Sequence, residues 1–244
     1  MVAAAVWSST FRLSSNCKPK PGFQPRGQAR WINFQERLRP RRSSVAATPA
    51  ISVCICTHNP RPGHLRRAME ALAHQTLARE RWELVVVDNA SRPPLTPQDL
   101  AAGPVGARLV REERLGLTRA RLAGLGAARG EVIVFVDGDN VLEPDYLEQA
   151  MKLMEANPRL GAIGGRCRGE FEVEPPVWSR RYLSYLAVAD CGPKPIVGFE
   201  SRGYEGWYPR GAGMVVRRVA AERYASQVEA DALRLALGRV GEGL

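Results

Sequence analysis

An α/β fold, with a mostly parallel sheet flanked by helices on both faces, is what this sequence predicts, and three observations predict it. From residue 51 onward, short apolar runs alternate with segments of helical periodicity, the pattern of consecutive β–α–β units. The runs are β-branched and apolar throughout, as expected of strands covered on both faces. Polar residues stand where the runs stop, at Thr57, Asp88 and the pair Asp137/Asp139. In such sheets ligands bind in the crevice at the carboxyl ends of the strands.

The elements follow in order. Ile51–Thr57 is an apolar strand, and the turn His58–Gly63 leads to a helix with Leu65, Ala68, Met69, Leu72 and Leu77 on one face. Trp82–Val87 is a second buried strand closing on Asp88-Asn89. A loop with Pro93, Pro94 and Pro97 precedes a short strand near Arg108–Arg111, then a helix over Leu117–Arg129. Glu131–Val136 is the next strand. A helix over Pro144–Ala156 opens on Glu143, Pro144 and Asp145, residue types that favour a helix start. Ala162–Gly165 begins a further strand, and Val219–Leu237 reads as one helix.

Length and charge narrow the possibilities. A chain of 244 residues with 45% hydrophobic and 25% charged residues builds one substantial soluble domain. The net charge is +10, but residues 1–50 hold nine Lys/Arg against the single acid Glu36. That leaves only +2 for the rest. A nucleic-acid-binding domain concentrates its positive charge on the folded unit, so nucleic acid is not the expected partner. Residues 1–49 read as a disordered basic extension: an upstream extension or mis-assigned start, with an organellar targeting segment as the alternative. Residues 50–244 form the domain. The cysteines Cys17, Cys54, Cys56, Cys167 and Cys191 have no metal-site or disulfide spacing, which points to reduced thiols in a reducing compartment. No apolar run approaches the roughly 18–20 residues of a bilayer span. The expectation is a cytoplasmic protein whose membrane association, if any, is peripheral.

The chemistry concentrates in Glu131-Val-Ile-Val-Phe-Val-Asp137-Gly-Asp139-Asn140. A buried strand ending in two carboxylates calls for a cation, because like charges so close repel. Hard oxygen donors suit Mg²⁺ or Mn²⁺ shared with a phosphorylated ligand; the alternative is a surface turn. Thr57 and Asn59 add a hydroxyl and an amide, and Asp88 and Asn89 an acid and an amide. Arg119 and Arg121 are placed to reach phosphates. The suggested ligand is a nucleoside diphosphate. Asn59 has an alternative as a helix cap, and Asp88 as a turn residue. Gly124-Leu-Gly126-Ala-Ala-Arg-Gly130 lacks dinucleotide-binding spacing and follows a helix rather than a strand.

Five blocks, in order, now carry a resemblance. They are Ile51-Ser-Val-Cys-Ile-Cys-Thr57-His-Asn59, Glu83-Leu-Val-Val-Val-Asp88-Asn89-Ala-Ser91 and Gly116-Leu-Thr-Arg-Ala-Arg121-Leu-Ala-Gly124. Val136-Asp137-Gly-Asp139-Asn140 and Tyr208-Pro209-Arg-Gly211-Ala-Gly213-Met-Val-Val-Arg217-Arg218 complete them. Over roughly residues 51–220 the chain resembles the family 2 inverting glycosyltransferases, with their Rossmann-like GT-A fold. The resemblance implies a nucleotide-diphosphate sugar as donor and a glycan or lipid-linked hydroxyl as acceptor, as in polysaccharide biosynthesis. It implies that Thr57, Asn59, Asp88, Asn89, Arg121 and Asp137 hold the nucleotide, and that Asp139 binds Mg²⁺ or Mn²⁺. It places Trp207, Gly211 and Gly213 near donor and acceptor; Trp207 would stack on a sugar or fill the core, and the glycines would admit backbone to the ligand or form a bare loop. The family's general base is an acid in a downstream Glu-Asp pair, expected here beyond Leu244, so the domain reads as C-terminally incomplete. Glu242 lacks the Asp partner, and Glu229 and Asp231 read as solvated helix charges. A non-catalytic nucleotide-sugar-binding remnant and a nucleotidyltransferase are the alternatives.

Overall fold

A computed structural model describes residues 5–10, 48–188 and 209–235 of the chain. The elements are β1 (Ala5–Thr10), β2 (Ile51–Thr57), α1 (Pro62–Ala73), β3 (Trp82–Asn89), β4 (Arg108–Glu112) and α2 (Leu117–Ala127). They continue with β5 (Val132–Asp137), β6 (Asn140–Leu142), α3 (Tyr146–Ala156), β7 (Ala162–Ile163) and β8 (Arg166–Phe171). The last are β9 (Met214–Arg217), α4 (Arg218–Glu229) and α5 (Ala232–Leu235). The main sheet has the order β4-β3-β2-β5-β9-β7. Its first four strands run parallel, and β9 is antiparallel to both β5 and β7. This is the mostly parallel α/β architecture expected of the GT-A fold.

Strand periodicity sorts the core. Side chains alternate between sheet faces, so Ile51, Val53 and Ile55 join Leu84, Val86, Val132, Val134 and Val136 on one face. There they pack with Leu65, Met69 and Leu72 of α1 and Tyr146, Leu147 and Met154 of α3. The intervening positions Cys54, Cys56, Val85, Val87, Ile133 and Phe135 face the other way, with Ala120 and Leu125 of α2 and Ala221 of α4. Cys54 and Cys56 therefore serve as small apolar fillers, and burial pushes both thiols up, Cys56 to about 12. Cys17 and Cys191 lie outside the described residues. Among the described residues no helix is long and apolar enough to cross a membrane.

Several elements differ from the sequence reading. Ala5–Thr10, expected within a structureless stretch, forms the centre of a second sheet, parallel to β6 and antiparallel to β8. Val6, Trp7 and Thr10 are strand-favouring types, and β6 and β8 each offer a ladder edge; apart from Thr48 and Pro49, the remainder of the expected extension lies outside the described residues. The helix after β9 ends at Glu229 rather than running on. Asp231 interrupts it: its Oδ1 accepts from the Leu233 and Arg234 amides at 3.0 and 3.2 Å, capping α5. Asp231 is therefore a cap rather than a charge on an exposed helix face. Pro144 stays outside α3, which starts at Tyr146.

The edge opposite the strand carboxyl ends is pinned by one buried acid. Glu83, 5% exposed, accepts from the Ser52 hydroxyl at 2.6 Å and the Arg129 amide at 2.7 Å. Its other oxygen accepts from Arg129 Nε at 2.8 Å and Arg108 Nη2 at 2.9 Å. Ser52 in turn accepts from the Gly130 amide at 2.8 Å, so the α2–β5 connection is tied to both β2 and β3. Burial alone would raise the Glu83 carboxyl; the hydrogen bonds and the Arg108 charge outweigh it and hold the group below its ordinary range.

A carboxyl lowered on folding stabilises the native state above its unfolded value and loses that contribution as the pH falls through its folded one. Glu83→Gln turns a donor toward two arginines, and should cost about 2–3 kcal/mol in urea unfolding at pH 7. The gap between variant and wild type should close as the pH drops below the ordinary glutamate value of 4.5.

Candidate functional site

The parallel ladder decides which polar residues meet. Arg111 of β4 stands opposite Asp88 of β3, Asp88 opposite Thr57 of β2, and Cys56 opposite Asp137 of β5. Neighbouring strands lie about 4.8 Å apart, so Asp88, Thr57 and Asp137 share an edge about 10 Å wide. Beyond Asp137 the chain turns at Gly138, which packs on Thr57; a Cβ at Gly138 would lie 3.0 Å from the Thr57 hydroxyl. That turn brings Asp139 to the same edge.

Arg121 of α2 supplies the positive charge. Its Nη2 is 3.7 Å from Asp137 Oδ1, and its guanidinium lies 5.7 Å from the centre of the Phe135 ring. The third side of its seat is Gly211, where a Cβ would come within 2.5 Å of Nη2. A residue larger than glycine would push the guanidinium out. The Gly211–Gly213 loop is itself held from the core: the buried Tyr146 hydroxyl donates to the Gly213 carbonyl. Gly213 has φ +79°, a conformation that favours glycine. Arg119 acts on Glu112 rather than on the acid pair.

The acid pair is electrostatically uncomfortable. Burial raises the Asp137 carboxyl, and Arg121 opposes that rise. Burial also raises Asp139, and the Asp137 charge raises it further, with His64 acting the other way. His64 also lines a cavity of about 280 Å³ with Gly63, Arg66, Arg67, Glu170, Phe171 and Glu172. Two carboxylates that both resist ionisation form a donor set suited to a hard divalent cation. Among the described residues no group of three His, Cys, Asp or Glu can hold a metal ion. A cation here would take its remaining ligands from water and ligand oxygens.

The other expected ligands are engaged within the protein. Asn89 accepts from the Gly116 amide at 2.8 Å and donates to the Glu112 and Arg114 carbonyls at 3.1 and 2.8 Å. Asn59, with φ 44°, accepts from the Arg92 amide at 2.8 Å, and its own amide donates to Ser91 Oγ at 2.9 Å. It is no helix cap: Arg61 occupies that position. Arg217 reaches the Met154 and Leu160 carbonyls, and Arg218 the Gly130 carbonyl, so both staple the fold away from the acid pair. Trp207 lies outside the described residues. Nothing in the sequence gives Arg111, Ser91 or Tyr146 a role; the strand pairing and the loop closure do.

Residues 52–223 match the sequence profile of Glycosyl transferase family 2. The chain belongs to this family. It is 31% identical over 178 residues to the uncharacterized protein y4gI of Sinorhizobium fredii, covering 65% of this chain and 19% of that protein. Over 107 residues it is 33% identical to the putative glycosyltransferase EpsH of Bacillus subtilis, covering 43% of this chain and 30% of EpsH. The matched part thus spans less than a third of either relative. Among solved structures, the mannosyltransferase PcManGT from Pyrobaculum calidifontis, in complex with GDP-Man and Mn²⁺, is 27% identical with a TM-score of 0.41. That likeness covers 48% of this chain and 35% of PcManGT.

An acid raised on folding has the opposite linkage from Glu83: its ionised form costs the native state stability, and the cost disappears as the pH falls through the raised value. Without divalent cations, Asp139→Asn should therefore melt higher than wild type at pH 7. The difference should shrink toward the ordinary aspartate range, as followed by calorimetric melting across pH.

Proposed function

We propose that this family 2 glycosyltransferase domain binds a nucleotide-diphosphate sugar along the edge formed by Thr57, Asp88, Arg121 and Asp137, and serves transfer of the sugar to an acceptor hydroxyl with inversion. The observation behind this reading is the register that pairs Thr57 with Asp88 and Cys56 with Asp137, so that β2, β3 and β5 end at one edge. The nucleoside lies over Thr57 and the loop that follows Asp88. Arg121, seated between Phe135, Asp137 and Gly211, faces the diphosphate with a charge-assisted donor.

Asp139, with Asp137 behind it, is the place for Mg²⁺ or Mn²⁺. A cation there supplies positive charge against the diphosphate as the sugar leaves. The raised carboxyls support this assignment, since a divalent cation would relieve both burial and mutual repulsion. The sugar lies toward Gly211 and Gly213, with Trp207 as a further candidate contact. Family membership supports a glycan or lipid-linked acceptor, used in polysaccharide biosynthesis from the cytoplasmic side, with any membrane contact peripheral. Proton removal from the acceptor falls to a carboxylate base acting in general-base fashion, and none of the described acids is assigned that part.

Calorimetric titration with UDP, GDP and ADP, with and without Mn²⁺, tests the reading. At least one nucleotide should bind, and Mn²⁺ should tighten it by about tenfold or more, an order expected of charge-assisted contacts. Asp139→Ala should lose the Mn²⁺ effect; metal-dependent affinity unchanged in that variant would refute the assignment. Gly211→Ala should displace Arg121 and weaken the same nucleotide by about tenfold, with the melting temperature little altered.

A further inference from the structure

Asp88 stands at the strand edge in the place of a nucleoside ligand, yet its carboxylate points into the protein. It is 1% exposed. Oδ1 accepts from the Ser91 amide at 3.1 Å, and Oδ2 accepts from the Leu95 amide at 2.9 Å and from Arg111 Nη1 at 2.5 Å. The same Arg111 nitrogen donates to the Ser91 carbonyl at 3.1 Å, and the rest of its fork engages Glu113 at 3.0 and 3.2 Å. The β3–β4 ladder sets the Arg111 backbone directly opposite Asp88, within reach of its carboxylate.

We propose that Asp88 and Arg111 are positioning residues that latch the 89–95 loop into the wall of the nucleotide site, and that the nucleobase meets that wall rather than the Asp88 carboxylate. The proposal rests on the nucleotide-binding reading above. A carboxylate offers about four acceptor positions, and at least three are taken by groups of the chain itself. A base donating to Asp88 would have to break into a buried, charge-assisted set, among the stronger hydrogen bonds a protein makes. The neighbouring amides point the same way. Asn59 grips the Arg92 amide and the Ser91 hydroxyl, and the Asn89 carbonyl accepts from His58 Nδ1 at 2.7 Å. Asn59, Asp88 and Arg111 thus converge on one short loop, which a direct ligand role would leave unexplained.

The test compares wild type, Asp88→Asn, Arg111→Met and Arg111→Lys in the full chain. Affinities for UDP, GDP and ADP are measured with Mn²⁺, and amide hydrogen exchange at Ser91 and Leu95 is followed without nucleotide. Asp88→Asn and Arg111→Met should weaken every nucleotide by a similar factor, on the order of tenfold, so that the ranking of bases is kept. Exchange at both amides should quicken by a similar order. Arg111→Lys should recover part of both effects. A changed ranking of bases in Asp88→Asn, with Ser91 and Leu95 protected as in wild type, would overturn the proposal and make Asp88 a direct ligand. Should wild type bind no nucleotide, the functional reading fails, while the exchange measurement still decides the latch: protection unchanged in Arg111→Met refutes it.

Discussion

The hydrogen-bonded ladder through β4, β3, β2 and β5 is the constraint on which the rest of this structure depends. Backbone pairing in a parallel sheet sets register residue by residue, and a slip of one position turns every side chain to the other face. Here the faces are unambiguous, because alternate residues of each strand pack beneath different helices. Burial therefore locks the register, and the register places Arg111, Asp88, Thr57 and Asp137 on one edge.

The buried carboxylates of the sheet fall into two electrostatic classes. At the amino ends Glu83 is saturated by Ser52, Arg108 and Arg129, and its carboxyl is held low. At the carboxyl ends, Asp137 and Asp139 are raised, with one arginine at 3.7 Å as partial compensation. An acid whose partners outweigh its burial stabilises the fold; the raised pair does not. Asp88, also at the carboxyl ends, is held low by Ser91, Leu95 and Arg111, so the contrast runs between carboxylates that the chain engages and the pair that it leaves raised.

Much of this was legible beforehand. Strand and helix order, the buried character of β2, β3 and β5, and the convergence of Thr57, Asp88 and Asp137 all follow from apolar runs ending in polar residues. Weakly patterned segments are not legible: β8, with Arg166-Cys-Arg-Gly-Glu-Phe171, has no clean alternation, and β6 and β8 both find their ladder partner in β1. The break at Asp231 is not legible in the sequence, because an aspartate within a helical pattern reads equally as a surface charge or a cap.

The sequence by itself determined the α/β class, the family and the identity of the acids at the strand ends, since these rest on periodicity and local residue order. Only the tertiary structure decided which polar groups the fold itself engages. Asn59, Asp88 and Asn89 look like ligands in one dimension, and in the fold each also closes a loop through backbone groups. Arg121 finds its seat only because Phe135 and Gly211 arrive from separate elements. Hydrogen-bond satisfaction and close packing are properties of neighbours in space, and adjacency along the chain does not specify them.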